Sequence, residues 1–414
     1  MLSTEFCGFA LKNPFLLASG PATRDAGHIL KGFEAGWAGA VTKTISLEPS
    51  SGMRLSPRFA RVGRGFLNLE LLSDRDLGAW LADIRLLKES FPDRMLIASI
   101  AAPAYKLGDW KMMAERCSRA GADAVELNLS CPHGVGSRDM GITIGQNPEL
   151  VREVTAAACE AAGAPVIVKL GSMAGDVATV AAVAARAGAR AVSAINTVPG
   201  LGPIDVENLS VNPSIEGLTS PGGLSGAPVK PIALRVVAEL SRATSLEVSG
   251  IGGVMNWQDA CEFILVGART VQVCTGVMLE GFALIDSLTR GLTDYIIRKR
   301  FAGLRAMEGR LLENILTYED LPATRSVPRI DPGLCLRDDL CYISCRDAGG
   351  NAIALGPDRC PVVDEDKCLG CSLCMQVCPS PGCIKMERIA AAGDCGARCG
   401  DVTEEERECH GSGD

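Results

Sequence analysis

Short apolar runs at 15–19, 40–44, 95–100, 124–129, 165–170, 191–195, 246–249 and 270–273 read as buried strands. The stretches between them, among them 76–88, 110–120, 148–162 and 176–187, are amphipathic or alanine-rich and read as helices. Ala120-Gly121-Ala122 and Ala187-Gly188-Ala189 place a glycine where a helix stops and the next strand begins. Eight such units predict an α/β fold, a closed (β/α)8 TIM barrel rather than an open doubly wound sheet. Residues 4–12 predict a two-stranded lid closing the bottom of the barrel. The pattern breaks near Leu321-Pro322-Ala323-Thr324. The expected domains are therefore a barrel over 1–320, a linker at 321–332, a small domain at 333–390 and a mobile tail at 391–414.

Catalytic groups of such barrels sit just beyond the C-terminal ends of the strands. Those positions hold Ser19 and Gly20, Lys43 and Thr44, Asn128, Lys169, Asn196 and Thr197. Glycine turns follow at Gly226 and at Gly250-Ile251-Gly252-Gly253, and Cys274-Thr275-Gly276 ends the last strand. Glycine-rich turns after late strands cradle a phosphate with backbone amides. Two lysines in a barrel mouth need an anionic or electron-rich partner, because unpaired buried charge is costly. Flavin mononucleotide (FMN) meets both conditions; the competing reading gives each lysine a salt bridge within the barrel. No dinucleotide fingerprint accompanies the site, so electrons must reach the flavin by another route.

The loop Asn128-Leu129-Ser130-Cys131-Pro132-His133-Gly134 places an amide, a thiol and an imidazole directly after the fourth strand. A thiol titrating near about 8.5 is mostly protonated at neutral pH, so it can donate a proton as well as attack. A buried structural cysteine is the bland alternative.

With a net charge of −8, 4% aromatic residues and no basic run, the chain is not expected to bind nucleic acid. Its first residues carry neither a charged leader nor an apolar signal core, and no apolar stretch reaches the roughly 18 residues that span a bilayer. A soluble cytoplasmic protein is the expectation. Six of the 18 cysteines are scattered up to Cys274, and the other twelve lie between Cys335 and Cys409. That density points to metal or redox chemistry before disulfides.

Cys368, Cys371, Cys374 and Cys378, followed by Pro379, form a complete bacterial ferredoxin run. Zinc would want two separated pairs instead. An imperfect copy lies upstream, with Cys335, Cys341 and Cys345 at the same spacing and Asp338 where the second cysteine belongs. In two-cluster ferredoxins the fourth cysteine of each run serves the other cluster. Cys368, Cys371, Cys374 and Cys345 would then hold one 4Fe–4S cluster. Cys335, Cys341 and Cys378 would hold the other, with Asp338 as its fourth ligand or with none. A carboxylate is a hard ligand for soft cluster iron, so this corner is expected to be labile, as 4Fe–4S or 3Fe–4S. Cys360 is the alternative source of a fourth thiolate. Cys395, Cys399, Cys409 and His410 could bind a metal, or belong to the mobile end.

From Asn13-Pro14-Phe15 to Gly382-Cys383-Ile384-Lys385-Met386 the chain resembles the dihydropyrimidine dehydrogenase family, in its flavin-barrel and dicluster portion. Val41-Thr42-Lys43-Thr44, Asn68-Leu69-Glu70-Leu71, the Asn128–Gly134 loop, Gly145-Gln146-Asn147-Pro148-Glu149-Leu150, Asn196-Thr197 and Pro231-Ile232-Ala233-Leu234-Arg235 carry the resemblance. Dihydroorotate dehydrogenase barrels are more distantly similar. The resemblance implies reduction of a ring carbon–carbon double bond in uracil or thymine, by flavin hydride transfer with Cys131 as proton donor. It implies that Asn68, Asn128, Asn196 and Thr197 bind the ring's amide edges, while Ser130 and His133 tune the thiol. Lys43 and Lys169 would steady the flavin and developing negative charge. A partner flavoprotein binding FAD and NAD(P) would supply electrons through the clusters, and the subunits would form oligomers. One departure stands out: Tyr105-Lys106 replaces the family's Tyr-Asn, and a lysine can only donate. Lys106 would suit an anionic substrate such as orotate. An electron-transfer module is the third reading, one in which Cys131 and its amide ring would be superfluous.

Overall fold

The computed structural model describes residues 1–47, 55–131, 140–173 and 175–389. The chain divides into two compact units, Met1–Ile315 and Leu316–Asp414.

All eight expected strands form, as Phe15–Leu17, Gly39–Val41, Met95–Ile100, Ala124–Asn128, Val166–Leu170, Ala191–Ala194, Glu247–Ile251 and Thr270–Val273. They pair in parallel and in chain order, and the last closes on the first through Val271 opposite Phe15. Helices cover the outside, so the strands are buried on both faces and read as mostly apolar runs. Asp25, Asp76, Asn147, Asp176 and Asn256 start five of the helices by accepting a backbone N–H in the first turn. Gly121 and Gly188 stand two residues past the helix ends at Arg119 and Arg186 with φ of 109° and 102°, a conformation that favours glycine. Thr4–Phe6 and Phe9–Leu11 pair as the expected lid. Phe6 and Leu11 there pack with Leu16, Met95, Ala124, Ile167 and Ala191 of the barrel strands.

A second small sheet was not legible in the sequence. Phe59–Val62, Gly65–Asn68, Gly222–Gly226 and Val198–Gly200 form a four-stranded antiparallel sheet. It joins the connection after the second barrel strand to the one after the sixth, and so brings Asn68 and Gly226 to one place.

The second unit corrects the expected linker at 321–332. Arg325–Ile330 is a strand there, paired antiparallel with Ile384–Ile389 along its whole length. Pro328 is tolerated because the sheet has only two strands, which leaves one edge of this strand unpaired. Helices Leu340–Ala348 and Leu373–Val377 and the hairpin Ile353–Leu355/Pro361–Val363 complete the unit. Its buried apolar cluster is small: Cys341, Ile353, Cys374, Cys383 and Ile384. No described helix is long and apolar enough to cross a membrane.

Candidate active site

The C-terminal mouth of the barrel opens into a cleft enclosing about 1060 Å³, part of it open to solvent. Ser19, Gly20, Lys43, Thr44, Asn68, Asn128, Cys131, Lys169, Asn196, Thr197, Gly226, Gly252, Gly253, Cys274 and Thr275 all line it. Ser130 lies just behind. Its hydroxyl accepts from Asn196 Nδ2 at 3.1 Å, and the same amide donates to Asn128 Oδ1 at 3.1 Å. Asn128 Nδ2 in turn donates to Thr44 Oγ1 at 3.0 Å. Asn68 is fixed from the small sheet, donating to the Gly223 carbonyl at 2.7 Å and accepting from the Glu70 N–H. Asn196, Ser130, Asn128 and Thr44, which end or follow three different barrel strands, are thereby joined in one hydrogen-bonded chain, with Asn68 held separately beside them.

Two expected residues are not seen there. Lys106 is absent from the cleft lining; it starts the helix Leu107–Arg119, its carbonyl accepting from Asp109 N–H at 2.9 Å. His133 lies outside the described residues, as do Cys395, Cys399, Cys409 and His410.

Both lysines have carboxylate partners inside the protein. Lys43 pairs with Glu70, which also holds Arg58 at 2.8 Å. Lys169 faces Glu126 at 3.7 Å, with both side chains almost fully buried. Glu126 Oε2 accepts from Ser193 Oγ at 2.7 Å, while Oε1 has no hydrogen-bond donor among the described residues. Glu70 and Glu126 were missed by sequence reasoning: each hides in a run whose apolar neighbours dominate the pattern. Burial pushes the Cys274 thiol up to about 11, so it stays protonated at neutral pH.

The cleft fits a flavin mononucleotide. Gln272 Oε1 is a buried acceptor with no donor among the described residues, on a residue that lines the same cleft as Lys43 and Lys169. At the glycine turns, a Cβ on Gly253 (φ 82°) would come within 2.7 Å of Lys230 Cβ, and one on Gly20 within 2.6 Å of Cys274 Sγ. Bare backbone at Gly253 lets the chain approach a phosphate closely, whereas the Gly20 N–H already donates to Thr23 Oγ1 at 3.2 Å.

In the second unit, Cys345, Cys368, Cys371 and Cys374 line one cavity of about 340 Å³. The Ala352 N–H points to Cys345 Sγ at 3.2 Å and the Gly370 N–H to Cys368 Sγ at 3.4 Å. Burial and the neighbouring cysteines push the Cys374 thiol up. Cys335 and Cys378 pack against the buried cluster that contains Cys341 and Cys383. Among the described residues, no group of three His, Cys, Asp or Glu side chains is set to hold a single metal ion. In a cluster each thiolate holds its own iron instead.

The dihydroorotate dehydrogenase family profile matches residues 1–296, and a 4Fe–4S dicluster domain profile matches residues 328–386. The chain is 38% identical over 399 residues to the NAD-dependent dihydropyrimidine dehydrogenase subunit PreA of Escherichia coli (strain K12), covering 94% of this chain and 96% of that protein. It is 36% identical over 337 residues to the chloroplastic dihydropyrimidine dehydrogenase (NADP(+)) of Arabidopsis thaliana, covering 77% and 79%. The catalytic subunit of dihydroorotate dehydrogenase B (NAD(+)) from Pyrococcus abyssi is 36% identical over 313 residues, covering 76% and 100%. The chain therefore belongs to the dihydroorotate dehydrogenase family, as a flavin-barrel oxidoreductase of the CH–CH class with an added 4Fe–4S dicluster domain.

Proposed function

We propose that this chain is the catalytic subunit of a dihydropyrimidine dehydrogenase, reducing the ring double bond of uracil or thymine. The convergence of Asn68, Asn128, Asn196 and Thr197 with Cys131 in one cleft carries this reading. An amide offers one acceptor and two donors, which matches the alternating C=O and N–H edge of a uracil ring. FMN held in the cleft supplies hydride chemistry at a carbon–carbon double bond. Lys43 and Lys169 hold positive charge where the product's carbonyl edge gains electron density. Cys131 delivers a proton from Sγ to the adjacent ring carbon, and Ser130 braces Asn196 and Asn128 behind it.

Cys345, Cys368, Cys371 and Cys374 hold the first 4Fe–4S cluster in this reading, supported by the cavity they share. Cys335, Cys341 and Cys378 hold three corners of the second. Electrons enter from a partner flavoprotein carrying FAD and binding NAD(P). Lys106, the residue that would favour an anionic substrate, is not among the residues lining the cleft. Anaerobic addition of dihydrouracil to the holoprotein separates the enzyme from a bare electron-transfer module. Bleaching of the flavin absorbance supports the enzyme; an unchanged spectrum contradicts it.

A further inference from the structure

We propose that Cys360, on the hairpin turn between Leu355 and Pro361, supplies the fourth thiolate of the second iron–sulfur cluster in place of Asp338. This inference rests on the reading that Cys335, Cys341 and Cys378 hold that cluster. The loop that would carry the missing ligand keeps its cluster-wrapping shape. Arg337 and Asp339 have φ of 56° and 65°, matching Gly370 and Ser372 at 68° and 60° around Cys371 in the intact run. Non-glycine residues adopt that conformation at a cost, so the loop is held in it. At its centre a carboxylate stands where the intact run has a thiol.

Asp338 is a poor replacement. Its side chain is exposed to water, and Oδ1 already accepts from the Leu340 N–H at 3.1 Å, starting the helix that follows. Cluster iron is soft and prefers thiolate to carboxylate.

Cys360 is held at the same centre by the chain around it. Two ion pairs cross from the hairpin turn to the residues flanking Asp338: Arg359 with Asp339, and Asp358 with Arg337 at 3.8 Å. Within the turn, Asp358 Oδ1 accepts the Cys360 N–H at 3.0 Å and the Cys360 carbonyl accepts the Gly356 N–H at 2.9 Å. Arg359 has a φ of 62°. The ion pairs thereby hold the Cys360 turn against the loop that carries Asp338, with the Cys360 thiol close enough to Cys335 to interact with it electrostatically. Cys383 also reaches Cys335 and Cys378, but it is buried in the small apolar core and its thiol points to the Asp331 carbonyl at 3.6 Å. On ligation the Cys360 S–H proton leaves to solvent as the S–Fe bond forms, and no electron is transferred.

Holoprotein isolated anaerobically would be compared as wild type, Cys360→Ala, Asp338→Ala, Cys383→Ala and the double variant D338C/C360A. The readouts are iron and sulfide content and electron paramagnetic resonance of the oxidised state. Oxidised 3Fe–4S clusters give a signal there and oxidised 4Fe–4S clusters are silent. The expected result is a 3Fe–4S signal in C360A alone, with a loss of about one iron in eight for a chain holding two 4Fe–4S clusters. The double variant is expected to be silent again, because a cysteine at 338 restores the standard run; this rescue separates ligation from misfolding. A signal confined to D338A would make Asp338 the ligand and overturn the proposal, and one confined to C383A would do the same for Cys383. A 3Fe–4S signal already present in wild type would show that the corner has no ligand. Iron and sulfide sufficient for one cluster only in wild type would instead remove the second cluster itself, a failure of the underlying reading.

Discussion

Glu126→Ala isolates the charge pair beneath the cleft. Lys169 and Glu126 are 4% and 0% exposed and face each other at 3.7 Å. At an effective dielectric constant of about 20, unit charges at that separation attract by about 4–5 kcal/mol. Removing one partner of a buried pair typically costs about 3–5 kcal/mol, because the other charge is left uncompensated. The substitution also strands the Ser193 hydroxyl, which donates to Glu126 at 2.7 Å. At about 2 °C per kcal/mol for a unit of this size, the barrel transition should fall by about 6–10 °C. The assay is calorimetry of the holoprotein, following the barrel transition separately from that of the small unit. A second variant sharpens the result. Replacing both residues with E126L/K169M removes the charges together, and most of the lost stability should return. A fall below about 2 °C for E126A, or no recovery in the double variant, would refute the pairing as the source of the stability.

Three further outcomes follow from the same geometry. Asn196→Ala removes the amide donating to both Asn128 Oδ1 and Ser130 Oγ, each at 3.1 Å, and should lower kcat/KM for uracil by about 10–100-fold in steady-state assays while leaving melting within a few degrees. The fully buried Cys117 thiol is raised from 9.0 to about 12 by burial, so the folded state keeps a proton that the unfolded chain releases. Stability is therefore lost as pH rises from 9.0 toward 12, and Cys117→Ala should make that decline shallower in denaturant titrations across the range. Anaerobic chelation of iron should make residues 316–389 protease-sensitive while the barrel's transition stays put, because three of the five residues in the small unit's buried core are cysteines.

The barrel was legible because its strands are buried on both faces and leave mostly apolar runs. The bottom lid and the glycines that end the helices were legible for similar local reasons. The small sheet over the mouth was not. Gly65–Asn68 and Gly222–Gly226 carry four glycines between them, so they have no alternating apolar pattern, and their pairing spans more than 150 positions of sequence. Pro328 disguised the strand at Arg325–Ile330, since proline within a run argues against a strand unless it lies at an edge. Within the site, residues at strand ends were readable because the fold assigns chemistry to that position. Glu126 was not, because it sits among apolar strand residues and only its Ser193 and Lys169 contacts reveal a purpose. Lys106 starts a helix and is not among the residues that line the cleft, although its neighbourhood resembles the substrate loop.

Stopped-flow oxidation of the dithionite-reduced holoprotein by uracil, thymine and orotate, in wild type and Cys131→Ala, tests the central claim most directly. Rapid reoxidation of wild type by uracil or thymine, lost in the variant, is the predicted result. A response to orotate alone, or equal rates in wild type and C131A, would contradict it.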